Sequence, residues 1–353
     1  MSNFLKDYAG KKILITGHTG FKGSWLSRIL VLAGAQVYGL ALKADANSLF
    51  SIIDNLGMKE SAILDIRDRG EVENYFKTHN FDGIFHLAAQ PLVRRSYKEP
   101  IETFETNVMG TAHILNAVVN NNSAAWIVVI TTDKVYRNVE KLEGYSEGEA
   151  LGGKDPYSAS KAATEMVVSA WQTIAAGLDP RITISSARAG NVIGGGDNAQ
   201  DRLIPDLIRG FHSNSKTVIR NPESIRPWQH VLDPLNGYLY MGSALMAGRT
   251  ISPAYNFGPG DESKLTVKEM ADYACRQWEG AKGIDIAIDK TAVHESELLW
   301  LSSHLATVEL GWSNRFEALE AIRWTTDWEK AAMKTSPLEA LDMQIDSFYG
   351  VSR

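Results

Sequence analysis

Along the first half of the chain, apolar residues gather in six short runs, at 12–16, 36–42, 61–64, 83–87, 126–131 and 181–187. The runs are continuous rather than alternating, the pattern of strands covered on both faces. Between them lie stretches with apolar residues three and four apart, at 21–33, 68–79, 100–122 and 157–174, which predict helices. Strands separated by helices build βαβ units and a parallel sheet. After about Gly190 the pattern weakens, and loops such as "GGGDNAQD", "NPESIRPWQ" and "NFGPGDES" take over. A helix at 233–247 and a strand at 254–257 return the chain toward the main body. The expectation is a doubly wound α/β body over 1–189, rejoined at about 233–258, with a smaller lobe making up most of 190–353.

Composition sharpens this picture. A chain of 353 residues, 44% of them hydrophobic, can bury a sizeable core. Its net charge of −6, from 36 basic and 42 acidic residues, argues against nucleic acid as the main partner. Local cations can still hold an anionic ligand. Cys275 is the single cysteine, which excludes an intrachain disulfide and a thiolate cluster and fits a reducing cytoplasm. No His, Asp and Glu cluster has metal-ligand spacing, so no metal is expected. "MSNFLKDYAGKK" lacks a signal-peptide core, and the run 29–42 is too short to span a bilayer. A soluble, cytoplasmic protein is expected, with no membrane partner.

"ITGHTGFKG" sets Gly17, Gly20 and Gly23 in a G-x-x-G-x-x-G spacing, directly after the first strand and opening the first helix. Glycines there allow a tight turn and let backbone N–H groups approach a pyrophosphate, so the body reads as a Rossmann-type dinucleotide domain. His18 and Lys22 lie inside the loop, where they could face a phosphate. The second strand ends in "LALKADAN", with Leu42 and Lys43 where an acid would accept the ribose hydroxyls, so NAD and NADP both stay open on residues alone. Asp65 in "ILDIRD" either accepts from an adenine amino group or caps the helix beginning near Asp68.

Two further stretches carry chemistry. "DPYSASKAATE" places Tyr157 and Lys161 four apart, on one helix face. A lysine ammonium and a nicotinamide cation beside a phenol would lower its pKa and let it take a hydroxyl proton. "ITTDKVYRN" puts Asp133 and Lys134 side by side at the mouth of a buried strand.

The glycine loop, the strand end "HLAAQ" at His86–Gln90, Asn107 in "TNVMGT" and the Tyr157/Lys161 pair resemble the extended short-chain dehydrogenase/reductase family. More narrowly, "GHTGFKGSWL", "QPLVRRSY", "TTDKVY", "RAGNVIGGGD", "DRLIPD" and "RPWQHVLDPL" resemble the CDP-glucose branch of its sugar-nucleotide 4,6-dehydratases. This resemblance implies NAD, held by Gly17, His18, Gly20, Phe21, Lys22, Gly23, Asp65, Ile66, Leu87, Ala88, Ala89 and Asn107, with Tyr157 and Lys161 beside the nicotinamide. It implies that Thr132 holds the sugar 4-oxygen, that Asp133 protonates the departing C6 hydroxyl, and that the next residue is the C5 base. That residue is Lys134, where most of the wider family has glutamate. A lysine is a base only when neutral, which calls for burial and nearby positive charge. The other reading keeps Lys134 charged to stabilise the enolate.

The resemblance further implies contacts from Arg94, Asn191, Arg202 and Arg226 to CDP-glucose. It also implies a homodimer or homotetramer paired through the helices around 100–122 and 157–174, and a place in dideoxy-sugar synthesis for a cell-surface polysaccharide such as lipopolysaccharide O-antigen. His86, Trp228 and His230 read as packing residues. A 4-epimerase would need Tyr157 and Lys161 but no pair acting at C5 and C6. A silent NAD-binding regulator would need none of the set. Both remain alternatives, as does a dehydratase of another sugar nucleotide.

Overall fold

In the computed structural model, which describes residues 3–53, 55–287 and 298–351, the chain forms twelve strands among the described residues. They are β1 (Lys12–Thr16), β2 (Gln36–Ala41), β3 (Glu60–Ile63), β4 (Gly83–His86), β5 (Trp126–Ile130), β6 (Thr183–Ala189), β7 (Asn191–Ile193), β8 (Thr217–Ile219), β9 (Ile225–His230), β10 (Ala254–Phe257), β11 (Lys264–Thr266) and β12 (Ile284–Ile286). Seven of them build one wholly parallel sheet in the order β3-β2-β1-β4-β5-β6-β10, the doubly wound order of a Rossmann fold. The central β5 is buried at every position. The edge strand β3 alternates instead, leaving Ile63 60% exposed, because an edge strand lacks cover on one side. Two small sheets, β11-β9-β7 and β12-β8, lie beyond it.

Apolar side chains fill both faces of the main sheet. On one face Val72, Phe76, Ile114, Leu115 and Val118 pack with Ile127 and Ile184. On the other, Trp25, Leu26, Phe85 and Trp126 share one core with Tyr238, Phe257, Trp312, Phe316, Trp328 and Leu341. Each large side chain so buried contributes about 1.5–3 kcal/mol. The core therefore runs without a break from the dinucleotide body into the last helices. An Arg28–Asp342 fork, at 2.7 and 2.6 Å, clamps the helix Phe21–Leu32 to the helix Pro337–Tyr349.

The structure departs from the sequence pattern in two places. The stretch 100–122 is not one regular α-helix: Pro100–Phe104 and Thr111–Asn121 are α-helical, and Glu105–Gly110 between them is π-helical. The irregular-looking second half holds helices at Leu203–His212, Val267–Gln277, His304–Leu310, Ala318–Lys334 and Pro337–Tyr349. No helix among the described residues is long and apolar enough to cross a membrane.

Candidate active site

Parallel strands end at one edge, and the loops there enclose a cleft of about 320 Å³. Its floor is the turn after β1. Gly17 has φ +75°, and a Cβ there would stand 2.7 Å from the Ala88 nitrogen. A Cβ on Gly23 would stand 2.2 Å from the Gly17 carbonyl oxygen, so only glycine fits either position. The Gly20 N–H donates to that same carbonyl at 3.1 Å. The helix Phe21–Leu32 starts here with no side chain capping it, so its first N–H groups and positive end are left for a ligand. Phe21, Lys22, Ile66, Leu87, Ala88 and Ala89 line the walls.

Asp65 also lines the cleft, where the Arg67 guanidinium bonds it at 2.9 and 2.6 Å and holds its carboxyl below the usual range. Asp68, not Asp65, caps the helix Arg69–Thr78, accepting from the Glu71 N–H at 2.9 Å. Leu42 reaches the cleft from the end of β2.

Two residues expected at the cofactor stand behind it instead. The His18 side chain is fully buried against Gly39, with Nε2 2.7 Å from Ser61 Oγ and its ring edge-on to Phe50. Burial pushes it down to about 4, so it sits neutral under the loop and does not face a phosphate. Asn107 is buried as well: its amide accepts from the Gln90 N–H at 2.8 Å and donates to the Gln90 carbonyl and Ser160 Oγ. It braces the cleft wall without lining it.

At the far end of the cleft stand Tyr157 and Lys161, on the helix Pro156–Leu178. Asp155 caps this helix on the Ser158 N–H, and the Tyr157 N–H donates to Ser96 Oγ at 3.1 Å. Burial pushes the Tyr157 phenol up to about 12, against the hydrogen bond with Thr132 and the charge of Arg202. Lys161 is not among the groups that lower it; its ammonium donates to the Ile130 carbonyl at 3.2 Å. Burial lowers Lys161 to about 8, and Glu165 acts in the opposite direction.

Thr132 begins a short 3₁₀ turn, Asp133–Val135, and donates to Asp133 Oδ1 at 2.9 Å. The Asp133 side chain is 2% exposed, that of Lys134 31%, and Lys134 Nζ stands 4.0 Å from Asp133 Oδ1. The burial anticipated for Lys134 thus falls on Lys161, which is 6% exposed. Lys22 points from the glycine loop toward the Tyr238 hydroxyl at 3.4 Å.

The arginines divide. Arg202 lines the cleft and pairs with Asp197 at 3.2 Å. Arg94 pairs with Asp201 at 3.2 Å, just outside. Arg226 lies on β9, donating to the Ile225 carbonyl, and Asn191 opens β7, opposite Trp228 of β9. Sequence reasoning missed Arg67, which also lines the cleft, together with Arg95 and with Gln90 of the "HLAAQ" strand end. His86 bonds Thr16 and Thr111, and His230 packs edge-on against Trp25, Phe316 and Trp324. Among the described residues, no group of three or more His, Cys, Asp or Glu is placed to hold a metal ion.

A glycine-loop cleft on a parallel sheet, closed by a Tyr–Lys pair on one helix, defines a protein of the extended short-chain dehydrogenase/reductase class. A family model described as GDP-mannose 4,6 dehydratase matches residues 14–325, and the chain belongs to that family. Among curated relatives, the CDP-glucose 4,6-dehydratase of Salmonella typhimurium is 45% identical, covering 92% of both chains. The dTDP-glucose 4,6-dehydratase of Shigella flexneri is 28% identical, covering 90% of this chain and 92% of its own. A solved dTDP-glucose 4,6-dehydratase from Streptomyces venezuelae, with NAD and TYD bound, superposes with a TM-score of 0.76 over 93% of this chain and 99% of that one. At 24% identity the last likeness is one of fold.

Lys22 gives the site a pH signature. Burial, with Lys161 and Arg202 nearby, lowers it from its ordinary 10.5 to about 7. The unfolded chain therefore binds the extra proton between those values, and charging Lys22 opposes folding fully below about pH 7. Lys22→Met should raise the calorimetric unfolding midpoint at pH 7, with the gain shrinking toward pH 10. An equal gain at both pH values would remove this account.

Proposed function

We propose that the protein is a CDP-glucose 4,6-dehydratase, converting CDP-D-glucose to CDP-4-dehydro-6-deoxy-D-glucose. The observation that carries this is the meeting of Tyr157, Lys161 and Thr132 with the Asp133–Lys134 pair at one end of a dinucleotide cleft. The 45% identity to a relative of that name supports both the chemistry and the choice of cytidine nucleotide.

The cleft fits NAD. The close approach at Gly17 and Gly23 and the uncapped start of the helix Phe21–Leu32 would hold the pyrophosphate, and Asp65, Ile66 and Leu42 would flank the adenosine. When bound, NAD supplies a hydride acceptor at sugar C4 and a donor at C6, ending as it began. Tyr157 takes the 4-hydroxyl proton, with Thr132 steadying that oxygen. The 4-ketone acidifies the C5 proton, and Asp133 gives a proton to the C6 hydroxyl as it leaves as water. Lys134 acts at C5. Its exposure and its pairing with Asp133 favour the reading in which it steadies the enolate, the C5 proton passing to water in the cleft, rather than serving as the neutral base.

The β7–β9 side supplies the remaining substrate contacts. Arg202 and Arg226 suit the diphosphate, and Arg94 and Asn191 the sugar, since planar guanidinium forks match phosphate oxygens. A 4-epimerase needs no acid at C6, and the buried Asp133 beside Thr132 has no place in that reaction.

Apolar side chains stay exposed at helical spacing on two neighbouring stretches: Ile101, Phe104 and Met109 on one, Met166 and Ile174 on the other. Such a face is what a second copy would cover, and we assign it to a homodimer.

The first experiment offers CDP-glucose, dTDP-glucose, UDP-glucose and GDP-mannose with NAD and then NADP. Loss of one water should appear in the mass of the CDP-glucose product alone, with NAD. Loss from a different nucleotide would overturn the specificity, and loss from none would overturn the reaction. Lys134→Met separates the two roles at C5. Solvent deuterium exchange there should persist at about a tenth of the parent rate or more if Lys134 only stabilises charge, since losing a general base costs about 10²–10⁴-fold. For the dimer, Ile101→Glu with Ile174→Glu should halve the mass seen by light scattering, and an unchanged mass would exclude this face.

A further inference from the structure

Behind Lys161 lies a buried charged pair that the proposed reaction does not use. Glu165 follows Lys161 by one helical turn. Its carboxylate accepts from Thr131 Oγ1, from Ser186 Oγ at 2.8 Å, and from the Arg188 fork at 3.0 and 2.8 Å. The Arg188 and Glu165 side chains are only 5% and 4% exposed. Arg188 also donates to the Tyr136 hydroxyl at 2.7 Å and the Glu147 carbonyl at 3.1 Å.

Packing alone is a weak reason for such a pair, since apolar residues of similar volume often stabilise a core as well or better. Its position is more telling. Thr131 directly precedes Thr132 and Asp133. Arg188 stands two residues before Gly190, where a Cβ would lie 3.3 Å from Asp133 Oδ2. Glu165 thus joins the catalytic helix, the end of β5 and the end of β6 where the chemistry is placed. Lys161, 6% exposed, makes one hydrogen bond among the described residues, to the Ile130 carbonyl, and that bond brings no negative charge.

We propose that Glu165 is a positioning residue: locked by Arg188, Thr131 and Ser186, it keeps Lys161 protonated and holds the strand end that presents Thr132 and Asp133. The inference rests on the dehydratase reading of this cleft.

The groups around Lys161 are Tyr157 and Glu165, one turn to either side on its own helix, Lys22 from the glycine loop and His86 at the end of β4, with Asp133 facing Lys22. Tyr157 and His86 are neutral near pH 7, because burial moves the first up to about 12 and the second down to about 3. Lys22 opposes the ammonium. Asp133 is shared with Lys134 and Thr132, which leaves Glu165 as the anion set on the same helix face, one turn away.

The test uses the full chain with Glu165→Gln, which keeps the shape and removes the charge. Glu165→Gln/Arg188→Met covers the case in which the unpaired arginine prevents folding. The titration of Lys161 is followed by ¹⁵N NMR of lysine-labelled protein, assigned through Lys161→Met, alongside the pH profile of turnover. Glu165→Gln should titrate about one pH unit lower, as expected for loss of an opposite charge nearby, the double variant lower by less because the Arg188 cation goes too, and the high-pH limb of kcat should move down in each. A Lys161 titration that does not move, or activity falling equally at all pH values, would overturn the proposal. A parent protein that turns over no sugar nucleotide would instead overturn the reaction reading. That failure is distinguishable, because the titration needs no substrate.

Discussion

The site depends on one buried amide. Asn107 sits in the π-helical stretch, where its carbonyl accepts from the Thr111 and Thr164 hydroxyls while its side chain bonds Gln90 and Ser160. Three segments far apart in sequence are thereby held together: the loop after β4, the irregular helix and the catalytic helix. Each of these polar groups is buried, and leaving one unpaired costs about 1–3 kcal/mol, so the segments cannot drift independently.

Around this frame the protein gathers bases where water is scarce. Lys22 stands near Lys161 and Arg202, Arg202 acts on Tyr157, and Asp133 is the acid that faces Lys22. An anion entering the cleft therefore meets positive charge with little solvent to screen it. The phenol is held high all the same, because desolvation outweighs the hydrogen bond with Thr132 and the charge of Arg202. The electrostatics of this cleft are completed by what it binds.

Much of this was legible in the residues. Six apolar runs located the first six sheet strands to within two residues at each end, because strands covered on both faces are rich in apolar residues, although β3 at the edge alternates. The glycine spacing located the turn, because positive φ and backbone contact admit nothing larger. What escaped has physical reasons too. The inward turn of His18 depends on the space above Gly39, a neighbour across the sheet that local sequence does not reveal. The exposure of Lys134 depends on the direction of a single 3₁₀ turn. The late helices were hidden among long loops, although Thr266 with Glu269, and Ser336 with Pro337 and Glu339, spell out their starts. Glu165 was visible as the residue one turn past Lys161, but its meaning required Arg188 from another strand.

The Arg28–Asp342 clamp spans nearly the whole chain, and β10 enters the sheet beside β6 only after the β7–β9 excursion. During synthesis, the glycine loop and its helix leave the ribosome long before the segment that covers them exists. The nascent N-terminal half must wait with Trp25 and Leu26 uncovered, a long-range closure of the kind that slows folding and invites association with other chains. The core around Trp25 and Leu26 is therefore complete only when the helix Pro337–Tyr349 has joined it.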